Sequence, residues 1–155
     1  MINGMYTVLE DATKCVATAA VLYEGTPVTI DATGCITQAV GDVYVYGLSK
    51  LPKNTYRDMT YSYTDTYGSR KTTVVKGGII QLYPSVYTTA DNTAVQVDLW
   101  DSGVDSAAFG TSLYVDDAGL ITTTATNSLS LFAKVVYAPD NNVNNPGVLE
   151  IEMVV

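Results

Sequence analysis

Two stretches decide how this chain folds: GTPVTIDATGCIT, from Gly25 to Thr37, and GTSLYVDDAGLIT, from Gly110 to Thr122. They align without a gap at an offset of 85 residues. Gly25/Gly110, Thr26/Thr111, Asp31/Asp116, Gly34/Gly119, Ile36/Ile121 and Thr37/Thr122 are identical, and Val28/Leu113 and Ile30/Val115 are apolar in both. In each copy an alternating apolar segment runs into D-x-x-G and out again. Asp at the first position of a type I turn accepts backbone N–H bonds, and Gly at the fourth takes the left-handed conformation of a G1 bulge. Asp31, Gly34, Asp116 and Gly119 are therefore predicted as structural turn residues. The repeat is a scaffold, two β units near 25–48 and 110–133 separated by about 60 residues.

Strand signals continue outside the repeat. GDVYVYG sets Val43 and Val45 against Tyr44 and Tyr46, and TAVQVDLW sets Val95, Val97 and Leu99 against Gln96, Asp98 and Trp100. LSLFAKVVY groups Leu129, Leu131, Ala133 and Val135, while VLEIEMVV groups Leu149, Ile151, Met153 and Val155. Period-2 alternation marks sheets with one buried face. KTTVVKGGIIQLY is predicted as a hairpin turning at Lys76-Gly77-Gly78. Helical signal is thin, since ATKCVATAAVL lacks a 3.6-residue stripe. The expectation is an all-β or mainly-β single domain, a barrel or sandwich over 15–155, with one short helix at most. Residues 1–14 are expected as an N-terminal arm, and a Tyr-rich basic insert spans 50–93.

Charged residues make up only 15% of the 155, and the formal charge is -8. An acidic surface opposes nucleic acid, whose phosphates need cationic contacts. Between 50 and 76, six basic residues face only Asp58 and Asp65, net +4, so the rest of the chain carries -12. Such a patch suits an acidic protein partner, although a solvated loop is an equal reading. No apolar run approaches the roughly 18 residues of a membrane span, and MINGMYTVLEDATK lacks the pattern of a secretory leader, so neither is expected. Cys15 and Cys35 are expected to stay reduced and partly buried.

Histidine is absent, which removes the commonest general base and most zinc sites. Asp98, Asp101 and Asp105 lack the dense D-x-D-x-D-G run of a calcium loop and read as a turn with exposed aspartates. No catalytic residue, metal site or cofactor is expected, and the chain is not read as an enzyme. Tyrosine is more informative. Tyr56, Tyr61, Tyr63, Tyr67, Tyr83 and Tyr87 fall in or beside the basic insert, and Tyr61 and Tyr63 share one face of an extended chain. Tyr beside Arg is the composition of interface anchors, with a sugar-stacking platform and plain surface packing as the other readings.

The two G-x-x-(V/L)-x-(V/I)-D-x-x-G-x-(I/V)-T units resemble small head-decoration, or cement, proteins of tailed bacteriophages. The first unit continues as GDVYVYGLSK and the second as NSLSLFAKVVYAP before a closing VLEIEMVV. The likeness covers about half the chain, in 25–48 and 110–155. It implies a non-enzymatic protein on the capsid exterior that bridges neighbouring capsomers. Its partners would be the major capsid protein and further copies of itself, with a trimer favoured over a dimer, and neither nucleic acid nor membrane. Arg57, Tyr61, Tyr63, Arg70 and Lys71 are the candidate capsid or subunit contacts. A carbohydrate-binding β module, with Trp100, Asp98 and Asp101 as its site, is the alternative.

Overall fold

The computed structural model describes residues 2–4, 10–15, 22–50, 60–61, 71–88 and 94–155, with side chains described over 22–50, 73–84 and 97–155. The chain is mainly β and antiparallel, as its period-2 patterning predicts. Its first half supplies β1 (Ile2–Gly4), β2 (Glu10–Cys15), β3 (Leu22–Tyr23), β4 (Pro27–Ile30), β5 (Ile36–Gln38), β6 (Gly47–Lys50), β7 (Thr60–Tyr61) and β8 (Lys71–Lys76). The second half supplies β9 (Ile79–Leu82), β10 (Ser85–Thr88), β11 (Ala94–Val97), β12 (Ser112–Val115), β13 (Ile121–Thr122), β14 (Ala133–Tyr137) and β15 (Leu149–Met153). Helix is confined, among described residues, to 3-10 turns at Ser128–Ser130 and Pro139–Asn141.

The predicted turns form twice with the same hydrogen bonds. Asp31 Oδ1 accepts from Thr33 N (2.9 Å) and Cys35 N (3.1 Å), and Gly34 N donates to Asp31 O (3.0 Å). Asp116 Oδ1 accepts from Ala118 N and Leu120 N (both 2.8 Å), and Gly119 N donates to Asp116 O (3.1 Å). Gly34 and Gly119 lie at φ 83° and 84°, where a Cβ is strained. Register repeats as well: Thr29 faces Thr37 and Ile30 faces Ile36 in one hairpin, and Tyr114 faces Thr122 and Val115 faces Ile121 in the other.

The duplication extends well beyond the two quoted stretches. Val28 pairs with Gly47, and Leu113 with Ala133, so the third strand repeats at an offset of 86. Gly25 N donates to Ser49 O (2.8 Å) as Gly110 N donates to Val135 O (2.7 Å). The five-stranded sheet runs β2-β8-β6-β4-β5, and the six-stranded sheet runs β1-β9-β15-β14-β12-β13. With β1 and the strands of the two two-stranded sheets set aside, both sheets take their own strands in the order first, fifth, fourth, second, third. Each half is thus one five-stranded sheet of the same topology, and neither sheet closes on itself.

Three expectations change in consequence. Gly77 and Gly78 turn the chain as predicted, but β8 and β9 do not pair. β8 lies between β2 and β6, and β9 between β1 and β15, so the glycines form a corner between sheets. Gly77 N donates to Val155 O and Met153 N to Gly78 O, both at 3.0 Å, which ties the corner to the C-terminal strand. Second, the region 50–93 is not simply an insert, because 71–76 and 79–82 are ladder strands of the two sheets. Third, residues 1–14 contribute ladder strands rather than a separate arm: β1 pairs with β9 and β2 with β8.

Both sheets feed a single core. Leu48 and Val75 from the first join Ile80, Leu113, Phe132 and Ile151 from the second. Burying side chains of this size contributes roughly 1.5–3 kcal/mol each. The inward set of VLEIEMVV is buried at Leu149, Ile151 and Met153, although Val148 and Glu150 are buried as well and Val155 is only half-buried. LSLFAKVVY keeps its predicted phase at Ala133 and Val135, which are buried, but loses it before them: Leu129 sits exposed in a 3-10 turn and Phe132 is buried. GDVYVYG keeps its alternation of burial over 43–46 without ladder pairing there.

Cys35 is disulfide-bonded, against the expectation of reduced thiols, and the chain has one other cysteine, Cys15. Cross-linking a loop of about 20 residues restricts the unfolded chain and is worth about 3 kcal/mol on the chain-entropy estimate. Reduction is therefore expected to lower the unfolding free energy by about that amount. Cys35→Ser should lose as much and then show no further response to reductant; free thiols in the untreated protein would refute this.

Close approach sets a second test. A Cβ on Gly47 would stand 2.6 Å from the Val75 carbonyl oxygen and 2.7 Å from Val74 Cγ1, whereas one on Gly34 meets nothing described within 4 Å. Gly34→Ala should cost about 1 kcal/mol through its positive φ alone. Gly47→Ala should cost about 2–3 kcal/mol by pushing β6 off β8. Urea unfolding of the two variants would reverse that order if the sheet were laxly packed at β6.

Candidate functional site

The carboxylates singled out in the sequence prove to be mostly structural. Asp101 Oδ1 accepts from Gly103 N (2.9 Å) in the turn after Trp100. Asp105 Oδ1 accepts from the Trp100 indole N–H (2.9 Å), a pairing that the spacing of five residues does not reveal. Asp117 Oδ1 accepts from Asn127 Nδ2 (3.2 Å) and Asp42 Oδ1 from Leu129 N (2.8 Å). Glu150, buried in β15, accepts from Gln81 Nε2 across the ladder at 3.4 Å. No group of three or more metal-ligating side chains occurs among the described residues.

Two concavities stand out. One, of about 360 Å³, is lined by Pro84, Asp98, Trp100, Asp105 and Asp140. It joins an indole to three carboxylates, but Asp105 is already engaged by that indole. The other, of about 610 Å³, is lined by Ile30, Tyr44, Tyr46, Lys76, Leu129 and Val155. Its rim is apolar and open: Ile30 is 39%, Tyr44 73% and Leu129 41% exposed. The Lys76 ammonium lies 4.3 Å from the Tyr46 ring centroid, a cation–π contact at the edge of the groove. Contiguous exposed apolar side chains of this kind mark interaction surfaces.

Of the expected contacts, Arg57, Tyr63 and Arg70 lie outside the described residues. Tyr61 is placed in β7 opposite Leu22, and Lys71 begins β8 opposite Cys15. Asp31, Gly34, Asp116 and Gly119 serve the turns assigned to them. The apolar groove is the feature that the sequence did not single out. Its signals were Tyr44, on the face of GDVYVYG away from the core, and Ile30, at the end of its strand. Leu129 carried no such signal, because alternation placed it inward.

Among the titratable groups, Asp31 is held below the ordinary aspartate value. The Thr33 hydroxyl donates a short hydrogen bond to its carboxylate, partial burial works against this, and the Thr33 and Cys35 amides reinforce it. The folded state therefore keeps Asp31 ionised to lower pH than the unfolded chain does. Its contribution is complete above about pH 4 and is lost as the pH falls through the depressed value. Asp31→Asn should flatten the acid side of the stability curve below about pH 4, by a small amount given solvent screening. Urea unfolding at stepped pH checks this, and an acid slope equal to that of the wild type would exclude the carboxylate as its source.

A scan against protein-family models, a search of curated proteins and a search of solved structures each found no match.

Proposed function

We propose that this chain is a non-enzymatic structural protein of a tailed-phage virion. In this reading it binds the outer surface of the icosahedral capsid and stabilises it by bridging neighbouring capsomers. The observation that carries the proposal is the open apolar groove between Ile30, Tyr44 and Leu129, on a β scaffold in which Asp31, Asp101, Asp105 and Asp116 are engaged in turns and side-chain pairs. Burying such a surface against a partner contributes roughly 25 cal/mol per Å² of apolar area, without chemistry. The resemblance of the two hairpin units to cement proteins supplies the partner class, the major capsid protein.

The mechanism needs only linkage. A subunit that contacts two capsomers must be released before they separate, so occupancy adds to shell stability by mass action. The basic segment containing Arg57, Arg70 and Lys71, with Tyr61 and Tyr63, would steer the acidic body onto a capsid surface of opposite charge. Trp100 with Pro84 and Asp98 keeps a second reading open, in which the 360 Å³ cleft stacks a sugar ring.

Co-sedimentation with expanded empty shells of the accompanying major capsid protein tests the first reading. The wild type should saturate the shells and raise their disruption temperature. Tyr44→Ala combined with Leu129→Ala should weaken binding at least tenfold, as should Arg70→Glu with Lys71→Glu. Full occupancy by both double variants would overturn the assignment. Glycan binding abolished by Trp100→Ala, with no shell binding, would replace it by the sugar reading.

A further inference from the structure

The two halves join the same pair of positions, one through backbone and the other through sulfur. In the second half Trp100 forms a parallel bridge to Ile121: Asp101 N donates to Ile121 O and Ile121 N to Leu99 O, both at 2.9 Å. The bridge ties the segment after β11 to β13, an edge strand of the six-stranded sheet. At the offset of 85 that aligns the repeats, Trp100 falls on Cys15, and Leu120, next in sequence to Ile121, falls on Cys35. Cys35 is disulfide-bonded, no described cysteine is free, and Cys15 is the one other cysteine of the chain. The disulfide therefore stands where the second half has its backbone bridge.

Strand order shows what that bond holds. Cys15 ends β2 and Cys35 leads into β5, and these are the opposite edges of the sheet β2-β8-β6-β4-β5. In a flat sheet of five strands the two edges would stand roughly 19 Å apart. A disulfide holds its two Cα atoms within about 7 Å, so the sheet curls and its edges come together at that end. No ladder joins β2 to β5 among the described residues. Cys35 is also built into the β4–β5 hairpin, since Asp31 N donates to Cys35 O (2.8 Å) and Cys35 N to Asp31 Oδ1 (3.1 Å). Thr29 and Ile30 of that hairpin line the apolar groove.

We propose that the disulfide joining Cys15 and Cys35 is a redox-sensitive latch that closes the first half alone. A dithiol reductant passes two electrons and two protons to the bond, leaving two cysteine thiols and its own cyclic disulfide. The edges of the first sheet then part and the β4–β5 hairpin loosens, carrying the Ile30 wall of the groove with it. The second half is closed by backbone hydrogen bonds, which thiols do not cut, and keeps its form. Nothing in the latch depends on the capsid, so it stands or falls apart from the proposed function.

Amide hydrogen exchange on the full chain, with and without dithiothreitol, tests it, because exchange reads opening segment by segment. Reduction should speed exchange at least about tenfold over residues 28–38 and leave residues 112–122 within about twofold of their oxidised rates. Cys15→Ser combined with Cys35→Ser should show the same contrast without reductant, and no response when reductant is added. Equal acceleration in both halves would make the bond a general staple rather than a latch on one of them. That result, or unchanged exchange over residues 28–38 once the thiols are free, would overturn the proposal.

Discussion

Register is the constraint on which this fold rests, and one carboxylate fixes it in each half. Asp31 and Asp116 each gather two amides of their own turn, which pins the strand before the turn to the strand after it. A slip of one residue would exchange the faces of the strand and bring Thr29 inward in place of Val28. With the hairpin set, the third strand adds by the same rungs in both halves, through Val28–Gly47 and Leu113–Ala133. Gly47 carries its own constraint, because the Val75 carbonyl and the Val74 side chain leave no room for a Cβ.

The order of strands then determines how the halves combine. In each, the last strand inserts between the first and the fourth, so the sheet is complete only when its C-terminal strand arrives. In the first half that strand is β8, and the next residues must start the second sheet at once. Gly77 and Gly78 make that crossing, held by Val155 and Met153 from the far end of the chain. A lone five-stranded sheet would expose its apolar face, and the shared cluster around Leu48, Phe132 and Ile151 is how the two sheets bury theirs. Cys35 adds a covalent tie in the first half that the second lacks, its aligned counterpart being Leu120.

What could be foreseen in the sequence was local. Turn chemistry at Asp31, Gly34, Asp116 and Gly119 needs only the sterics and hydrogen bonds of four residues, and the alternation at Leu149, Ile151 and Met153 needs only pleating. The errors all involve partners remote in sequence. KTTVVKGGIIQLY has hairpin chemistry, yet β6 claims one flank and β15 the other. In LSLFAKVVY the alternation placed Ala133 and Val135 inside, but the 3-10 turn at Ser128–Ser130 breaks the strand before them, so that Phe132 rather than Leu131 is buried. The Cys35 disulfide depends on Cys15 returning beside it in space, which spacing does not encode. The groove was hidden for the same reason: exposure of Ile30 depends on what other segments leave uncovered.

Divergence between the two halves points to surface rather than chemistry. At matched backbone positions Ile30 is 39% exposed and Val115 is buried, and a Cβ on Gly119 would strike Gln38. The one charge gained across the turns, Asp117 against Ala32, is hydrogen-bonded to Asn127, which precedes the Ser128–Ser130 turn of the same half. An exposed branched apolar residue beside Tyr44 and Leu129 favours association, because water gains by its removal in proportion to area. A folded chain that leaves such a residue exposed beside an apolar groove has a stable body and a surface suited to adhesion. On the capsid reading that combination is what bridging requires, since the body transmits load while the groove supplies adhesion, and neither needs a reacting group.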